Sequence, residues 1–282
     1  MASPSTVGTN GSDDDSHFDV TKIICARKVR VSDVRSIIVE IIKLNGGLAN
    51  EIAVSRQANI MTRKTKPQTS GPMLVAMLVK NLFDLSDLLR FDLQKAVTLK
   101  QDLNEVRFPV DYAVDPKDKS EEYTPITRIG KETITKKMIK SLSSDERTMD
   151  YFGNASSANQ ATKWLNQLLI RSMKFVADRG WDYADSEPTN LFLALTGEVG
   201  ELSEILQFHG DLKSHISNGE LAKLASEMSD VLIYLVRFAD SLRLLDDAIV
   251  ELTKSCKKRK KKASKQKNAE TKESPLDGND SG

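Results

Sequence analysis

Cysteine and histidine are scarce in this chain. Its 282 residues contain two cysteines, Cys25 and Cys256, and three histidines. The two cysteines have neither the paired spacing of a zinc site nor the number that a disulfide framework needs. Three scattered histidines do not make a histidine-rich metal site, so any metal bound here would need oxygen ligands.

Long apolar runs and an excess of one charge are also missing. No stretch approaches the roughly 18 consecutive apolar residues of a membrane-spanning helix, and residues 1–17 lack the basic start and apolar middle of a signal peptide. The 41 Lys and Arg residues balance 40 Asp and Glu residues, which gives no overall field toward nucleic acid or membrane. We therefore expect a soluble protein of the cytoplasm that does not bind membranes.

Three polar stretches divide the chain. Residues 1–17 and 257–282 are poor in apolar residues and carry runs of one charge, so they are predicted to be disordered tails. Residues 114–158 are too long for an ordinary loop and are predicted to form a linker. The basic run 257–262 is typical of a nuclear import signal or of a solubilising tail, so the nucleus is the alternative location and weak nucleic-acid binding an alternative activity.

The two remaining blocks, 18–113 and 159–256, are rich in apolar residues that recur at steps of three and four. This period predicts helices, and the expected fold class is all-α, a helical bundle. The helices are predicted near 32–56, 72–90 and 92–106 in the first block, and near 159–179, 188–209, 219–244 and 246–256 in the second.

Two pairs of acids lie on apolar helix faces in the second block. Glu198 and Glu201 are three residues apart and share a face with leucines, and Glu227 and Asp230 repeat the arrangement on the next helix. Four buried negative charges are prohibitive unless cations neutralise them or they become protonated. Carboxylates from two facing helices suit Mg²⁺, with Mn²⁺ as the alternative ion. The other interpretation is a pair of solvated helix stripes.

These segments resemble a known superfamily. Residues 197–204 (Gly-Glu-Val-Gly-Glu-Leu-Ser-Glu) and 227–234 (Glu-Met-Ser-Asp-Val-Leu-Ile-Tyr) are similar to the Glu-x-x-Glu and Glu-x-x-Asp signature of the all-α, MazG-like nucleoside triphosphate pyrophosphohydrolases, and most similar to the dCTP pyrophosphatases. The resemblance is specific over 172–245. It implies Mg²⁺ held by the four acids, and hydrolysis of a deoxynucleoside triphosphate, dCTP or a modified dCTP, to the monophosphate and pyrophosphate in nucleotide-pool cleansing.

The resemblance also implies roles for single residues. Glu201 or Glu204 would orient or deprotonate the attacking water, and the sequence does not decide between them. Trp181 and Tyr234 match positions that line the base pocket, with core packing as the alternative. Phe208 stands where the nearest family members have Trp, and Ser172 where some have His, which leaves the base preference open. Phe208 is nevertheless counted among the substrate-binding candidates.

The first block resembles a degenerate copy of the second. Identical residues recur at an offset of 153, among them Asp87 with Asp240 and Arg90 with Arg243. The same offset places Asn45, Leu48, Leu74 and Met77 at the four metal positions, so the first block is not expected to bind Mg²⁺. We predict a tandem pseudo-dimer of two MazG-like units, and the alternative is an unrelated helical domain.

Each block keeps what the other lacks. Lys100 and Asn104 lie one helical turn apart and match the Lys and Asn of the family's C-terminal helix, whereas the last helix of the second block has lost that Asn. We therefore predict one site per chain, with Lys100 contacting phosphate and Asn104 the nucleotide across the interface between the halves. Because family enzymes are dimers or larger, association of the halves and a homo-oligomer are expected. The alternatives are a non-catalytic nucleotide-binding or regulatory protein, or a nucleic-acid-associated module acting through the basic tail.

Overall fold

The protein is represented by a computed structural model that describes residues 29–60, 70–110, 155–181, 187–207 and 216–254. These residues form seven helices and no strand, so the predicted all-α class is confirmed. The helices are α1 (Val31–Ile60), α2 (Gly71–Leu89), α3 (Leu93–Arg107), α4 (Ala155–Ala177), α5 (Pro188–Glu204), α6 (Asn218–Ser241) and α7 (245–254). Among these helices none has the length and apolar character needed to cross a bilayer.

The predicted helix bounds are close to the observed ones. Helices α2 and α3 begin and end within one residue of their predicted limits, and α5 begins at Pro188 as predicted. Helix α5 ends at Glu204, before the predicted end at 209, and α4 begins at Ala155, inside the predicted linker. The rest of that linker and both predicted tails lie outside the described residues.

Local capping explains where three of the helices begin. The Asp92 side chain accepts a hydrogen bond from the backbone N–H of Lys95 at the start of α3, and Glu187 accepts from two backbone N–H groups at the start of α5. Ser217 and Glu220 form a reciprocal capping box at the start of α6. Each cap satisfies backbone donors that have no partner within the helix, and so fixes the register of the helix that follows.

Helix α6 lies at the centre of the core. It packs against α2, α3, α4 and α5, and its residues Leu224, Met228, Val231 and Leu235 are fully buried. Fourteen of its 24 residues are buried, which requires neighbours on several sides of the helix. Residues of both sequence blocks therefore contribute to one hydrophobic core, and the acids of α6 lie close to the first block.

One backbone feature recurs at the offset of 153. Arg90 and Arg243 both adopt left-handed conformations, with φ of 56° and 57°. In each case the arginine N–H donates to the carbonyl oxygen three residues earlier, that of Asp87 and that of Asp240. A duplicated helical hairpin would show this recurrence, but many unrelated helices also end in a left-handed residue. The tandem pseudo-dimer itself stays a prediction.

Candidate active site

Three carboxylates meet where α5 packs against α6. Glu198 and Glu201 of α5 and Glu227 of α6 each have a carboxylate oxygen within 4.8 Å of the others. The spacing of three residues places both glutamates of α5 on one face. Glu198 and Glu227 are half-buried and Glu201 is exposed, so the group is open to solvent on one side.

The fourth predicted ligand, Asp230, is paired with a cation from the other block. Asp230 is 9% exposed, and its side chain forms an ion pair with the Lys100 ammonium. Lys100 Nζ also donates a hydrogen bond to Ser226 Oγ, at 2.8 Å. Lys100 lies on α3, which packs against α6. The two blocks therefore contact each other here, and the contact joins Lys100 to one of the acids. The predicted contact between Lys100 and phosphate stays a prediction.

The acids perturb one another electrostatically. Burial, and after it the charges of Asp230, Glu201 and Glu227, raise the pKa of Glu198 to about 8, against the opposing effect of Lys100. Burial also raises the pKa of Asp230, against the effect of Lys100. Without a further cation, Glu198 therefore holds a proton at neutral pH.

The donor set fits a hard divalent cation. It consists of carboxylate oxygens alone, which Mg²⁺ and Mn²⁺ prefer. Oxygens on opposite sides of a Mg²⁺ ion are about 4 Å apart, so oxygens that already lie within 4.8 Å need only small rotations to share one ion. A divalent cation would also offset both the burial and the repulsion that raise the pKa of Glu198.

A cavity of about 240 Å³ adjoins these acids and is formed by both blocks. Glu198, Asp230 and Lys100 line its wall, as do the predicted substrate-binding residues Asn104, Trp181 and Tyr234. The remaining charged and aromatic groups on this wall include Arg107, Arg171, Arg237, Phe108 and Phe175. The cavity wall therefore combines acidic, basic and aromatic side chains.

Three aromatic rings are clustered at the cavity. The Trp181 ring lies 5.5 Å from the ring of Phe108 and 5.9 Å from that of Phe175, nearly perpendicular to both. The Arg179 guanidinium lies 3.8 Å from the centre of the Phe175 ring, and its Nη1 donates to the Phe175 carbonyl oxygen. These contacts fix the orientation of the rings, which favours stacking with a planar ligand.

Two predicted residues are not among those that the structure brings together. Glu204 is the last residue of α5, is exposed, and does not belong to the group of three carboxylates. Phe208 lies outside the described residues. The choice between Glu201 and Glu204 and the role of Phe208 stay predictions.

Sequence reasoning missed several residues of the cavity wall. Arg107 and Phe108 follow Asn104 by one turn, so the helical period of α3 could have indicated them. Arg171, Phe175 and Arg237 belong to α4 and α6. Only the packing of these helices against α3 reveals their position, and the local sequence carries no signal for it.

Comparison with known proteins gives one group of relatives. The chain is 45% identical over 74 residues to dCTP pyrophosphatase 1 of Bos taurus and 46% identical over 74 residues to that of Homo sapiens, which covers 25% of this chain and 43% of each relative. The protein of the same name from Rattus norvegicus is 46% identical over 69 residues, 23% of this chain and 40% of its own length. The match thus spans less than half the length of these relatives. No protein-family model matches, and no solved structure gives a significant match. Over the matched region the chain is related to the MazG-like dCTP pyrophosphatases.

Proposed function

We propose that this chain hydrolyses a deoxynucleoside triphosphate, dCTP or a modified dCTP, to the monophosphate and pyrophosphate. The observation that carries the proposal is the group of three carboxylates beside a cavity with lysine, arginine and aromatic side chains. The relatives are named for dCTP and for pyrophosphate release, which supports both the substrate and the bond that is cleaved.

Glu198, Glu201, Glu227 and Asp230 would hold Mg²⁺, or Mn²⁺ in its place. When bound, such an ion neutralises the triphosphate and lowers the pKa of a coordinated water. Three of the acids already converge. Asp230 would join them after exchanging its contact with Lys100 for a contact with the ion.

Lys100 and Asn104 would bind the substrate from the first block. The Lys100 ammonium is held at the cavity wall by Asp230 and Ser226, from which it can turn to a phosphate oxygen. Asn104 lies one turn further along the same face of α3 and also lines the cavity. This arrangement supports one composite site per chain.

Glu201 is better placed than Glu204 to act on the attacking water. It belongs to the carboxylate group and is exposed to solvent, so it can accept a proton from a water that approaches the α-phosphorus. For the base, the rings of Trp181 and Tyr234 offer stacking surfaces within the same cavity.

The direct test is a panel of common NTPs and dNTPs with the full chain and Mg²⁺, in which the products are separated by chromatography. Attack at the α-phosphorus yields the monophosphate and pyrophosphate, and we expect dCTP to be among the best substrates. Glu198→Gln and Asp230→Asn should lower turnover by orders of magnitude while the protein stays folded, because each removes a negative ligand. A diphosphate product, or full activity in excess chelator, would refute the proposal. Nucleotide binding with no turnover would favour the non-catalytic alternative.

A further inference from the structure

A pair of buried polar side chains lies in the cavity wall. Gln101 of α3 is 9% exposed and Ser172 of α4 is 4% exposed, and both line the cavity. Gln101 Nε2 donates a hydrogen bond to Ser172 Oγ, at 3.2 Å. The catalytic proposal above uses neither residue.

The hydrogen bonds of Ser172 determine which end of the Gln101 amide faces it. Ser172 Oγ lies 2.8 Å from the carbonyl oxygen of Leu168, which can only accept, so the hydroxyl proton is directed there. The hydroxyl oxygen can then only accept from Gln101, and the amide must present its NH₂ group to Ser172 rather than its oxygen.

The amide oxygen of Gln101 is therefore the group left for a ligand. Within the described part of the chain, the Gln101 side chain makes one hydrogen bond, the donation to Ser172. The fixed amide turns its Oε1 away from Ser172, on a residue of the cavity wall. An acceptor held in place by a neighbour discriminates between ligands better than an amide that can rotate.

We propose that Gln101 selects the base of the substrate by accepting a hydrogen bond from an exocyclic amino group. This proposal rests on the proposed function and concerns which base the site takes. Lys100, the residue before Gln101, serves the phosphate end, and Phe175, one turn after Ser172, belongs to the aromatic cluster. Gln101 and the rings of this cluster line the same cavity, so a base stacked on the rings would have Gln101 as a neighbour. Cytosine has an amino group on its Watson–Crick edge, whereas uracil has a carbonyl oxygen there, which would face the Gln101 oxygen.

The test compares dCTP with dUTP, a matched pair that differs at this edge alone. Both kcat/KM and the binding of the products dCMP and dUMP, measured by calorimetry, are determined for the full chain. We expect a preference of about tenfold to a hundredfold for cytosine in the unmodified chain. Gln101→Met should reduce it to about threefold or less, whereas Gln101→Glu retains an acceptor and should keep it.

Ser172→Ala tests whether the hydrogen bond to Ser172 fixes the orientation of the Gln101 amide. Without the Ser172 oxygen the Gln101 amide can rotate and present its NH₂ group, so the use of dUTP should rise relative to dCTP. Gln94→Met is the matched control, because it makes the same change two turns earlier on α3, outside the residues that line the cavity. It should leave the ratio unchanged. General damage to the fold lowers kcat/KM for both substrates together and does not change the ratio of the two values.

The possible failures are distinguishable. If the chain hydrolyses dCTP but Gln101→Met and Ser172→Ala keep the original ratio, the role of Gln101 is refuted and the proposed function stands. Equal kcat/KM for dCTP and dUTP in the unmodified chain would also refute the role of Gln101 and leave the proposed function standing. If no nucleotide is hydrolysed or bound, both proposals fail. If Gln101→Met does not fold, Ser172→Ala alone decides.

Discussion

Glu198 holds its proton into the neutral range because the fold buries its carboxyl group and places it among like charges. Its pKa of about 8 lies well above the ordinary 4.5 of a glutamate. Between these two values the folded chain binds a proton that the unfolded chain releases. The free energy of unfolding therefore falls as pH rises through this range.

The fall in the free energy of unfolding with rising pH gives a prediction for the metal-free protein. In excess chelator, urea unfolding should show decreasing stability from about pH 5 to about pH 8, and Glu198→Gln should flatten the decrease, because the amide does not titrate. A smaller slope should remain, since the pKa of Asp230 is raised in the same direction. Saturating Mg²⁺ should remove most of the slope. A Glu198→Gln variant with an unchanged slope would contradict the assignment.

Lys100 of the first block forms an ion pair with Asp230, one of the four acids of the second block. We predict that Lys100→Ala lowers kcat/KM for dCTP by roughly tenfold to a hundredfold, because a charge-assisted phosphate contact is worth about 1.5–3 kcal/mol. Steady-state kinetics at saturating Mg²⁺ measures this effect. Lys43→Ala is the control, because Lys43 is exposed on α1 and pairs there with Glu40. Equal kinetics for the two variants would remove Lys100 from the site.

At the scale of elements, α3 is the helix that completes the cavity. Lys100, Asn104 and Arg107 follow one another at steps of four and three, so they lie on one face, and all three line the cavity wall. The register of this face depends on where α3 begins. Asp92 fixes that point through its hydrogen bond to the Lys95 N–H, at 3.0 Å.

Removal of this cap should therefore affect both stability and substrate binding. Asp92→Ala is expected to lower the free energy of unfolding by about 0.5–2 kcal/mol and to raise KM for dCTP, because the start of α3 frays and its face loses register. Urea unfolding and initial rates measure the two effects. Asp33→Ala, in the first turn of α1, removes an exposed ion pair with Arg30 and should leave KM unchanged. A rise in KM for both variants would argue against a specific role for α3.

The sequence predicted where the helices begin and end better than it predicted which helices contact one another. Period and caps are local signals, which is why α2 and α3 were placed to within one residue. The start of α4 was missed because polar composition alone suggested a linker. The acids and Lys100 were found through spacing and resemblance. Arg171 and Arg237 were not, because their place at the cavity depends on how α4 and α6 pack against α3.

At the scale of the whole molecule, residues of both blocks line one cavity. The acids come from α5 and α6, while α3 of the first block supplies Lys100 and Asn104. The position that the offset pairs with Glu198 holds Asn45, which is buried and donates a hydrogen bond to Thr196 of α5. We propose that the blocks are two copies of one unit in which the first has exchanged a metal site for packing. Association of chains into a homo-oligomer remains part of the same proposal.

Truncation tests this division most directly. A chain of residues 155–282 lacks α1, α2 and α3, so the α6 surface that packs against α2 and α3 would be exposed. Asp230 would also lose Lys100. We predict that this fragment neither unfolds cooperatively nor hydrolyses dCTP, whereas a chain without residues 257–282 keeps full activity. Circular dichroism during urea titration and pyrophosphate release measure both properties. If the 155–282 fragment folds and matches the full chain in kcat/KM, the first block contributes nothing to the site. If deletion of 257–282 abolishes activity instead, function depends on the basic tail, as the nucleic-acid-associated alternative requires.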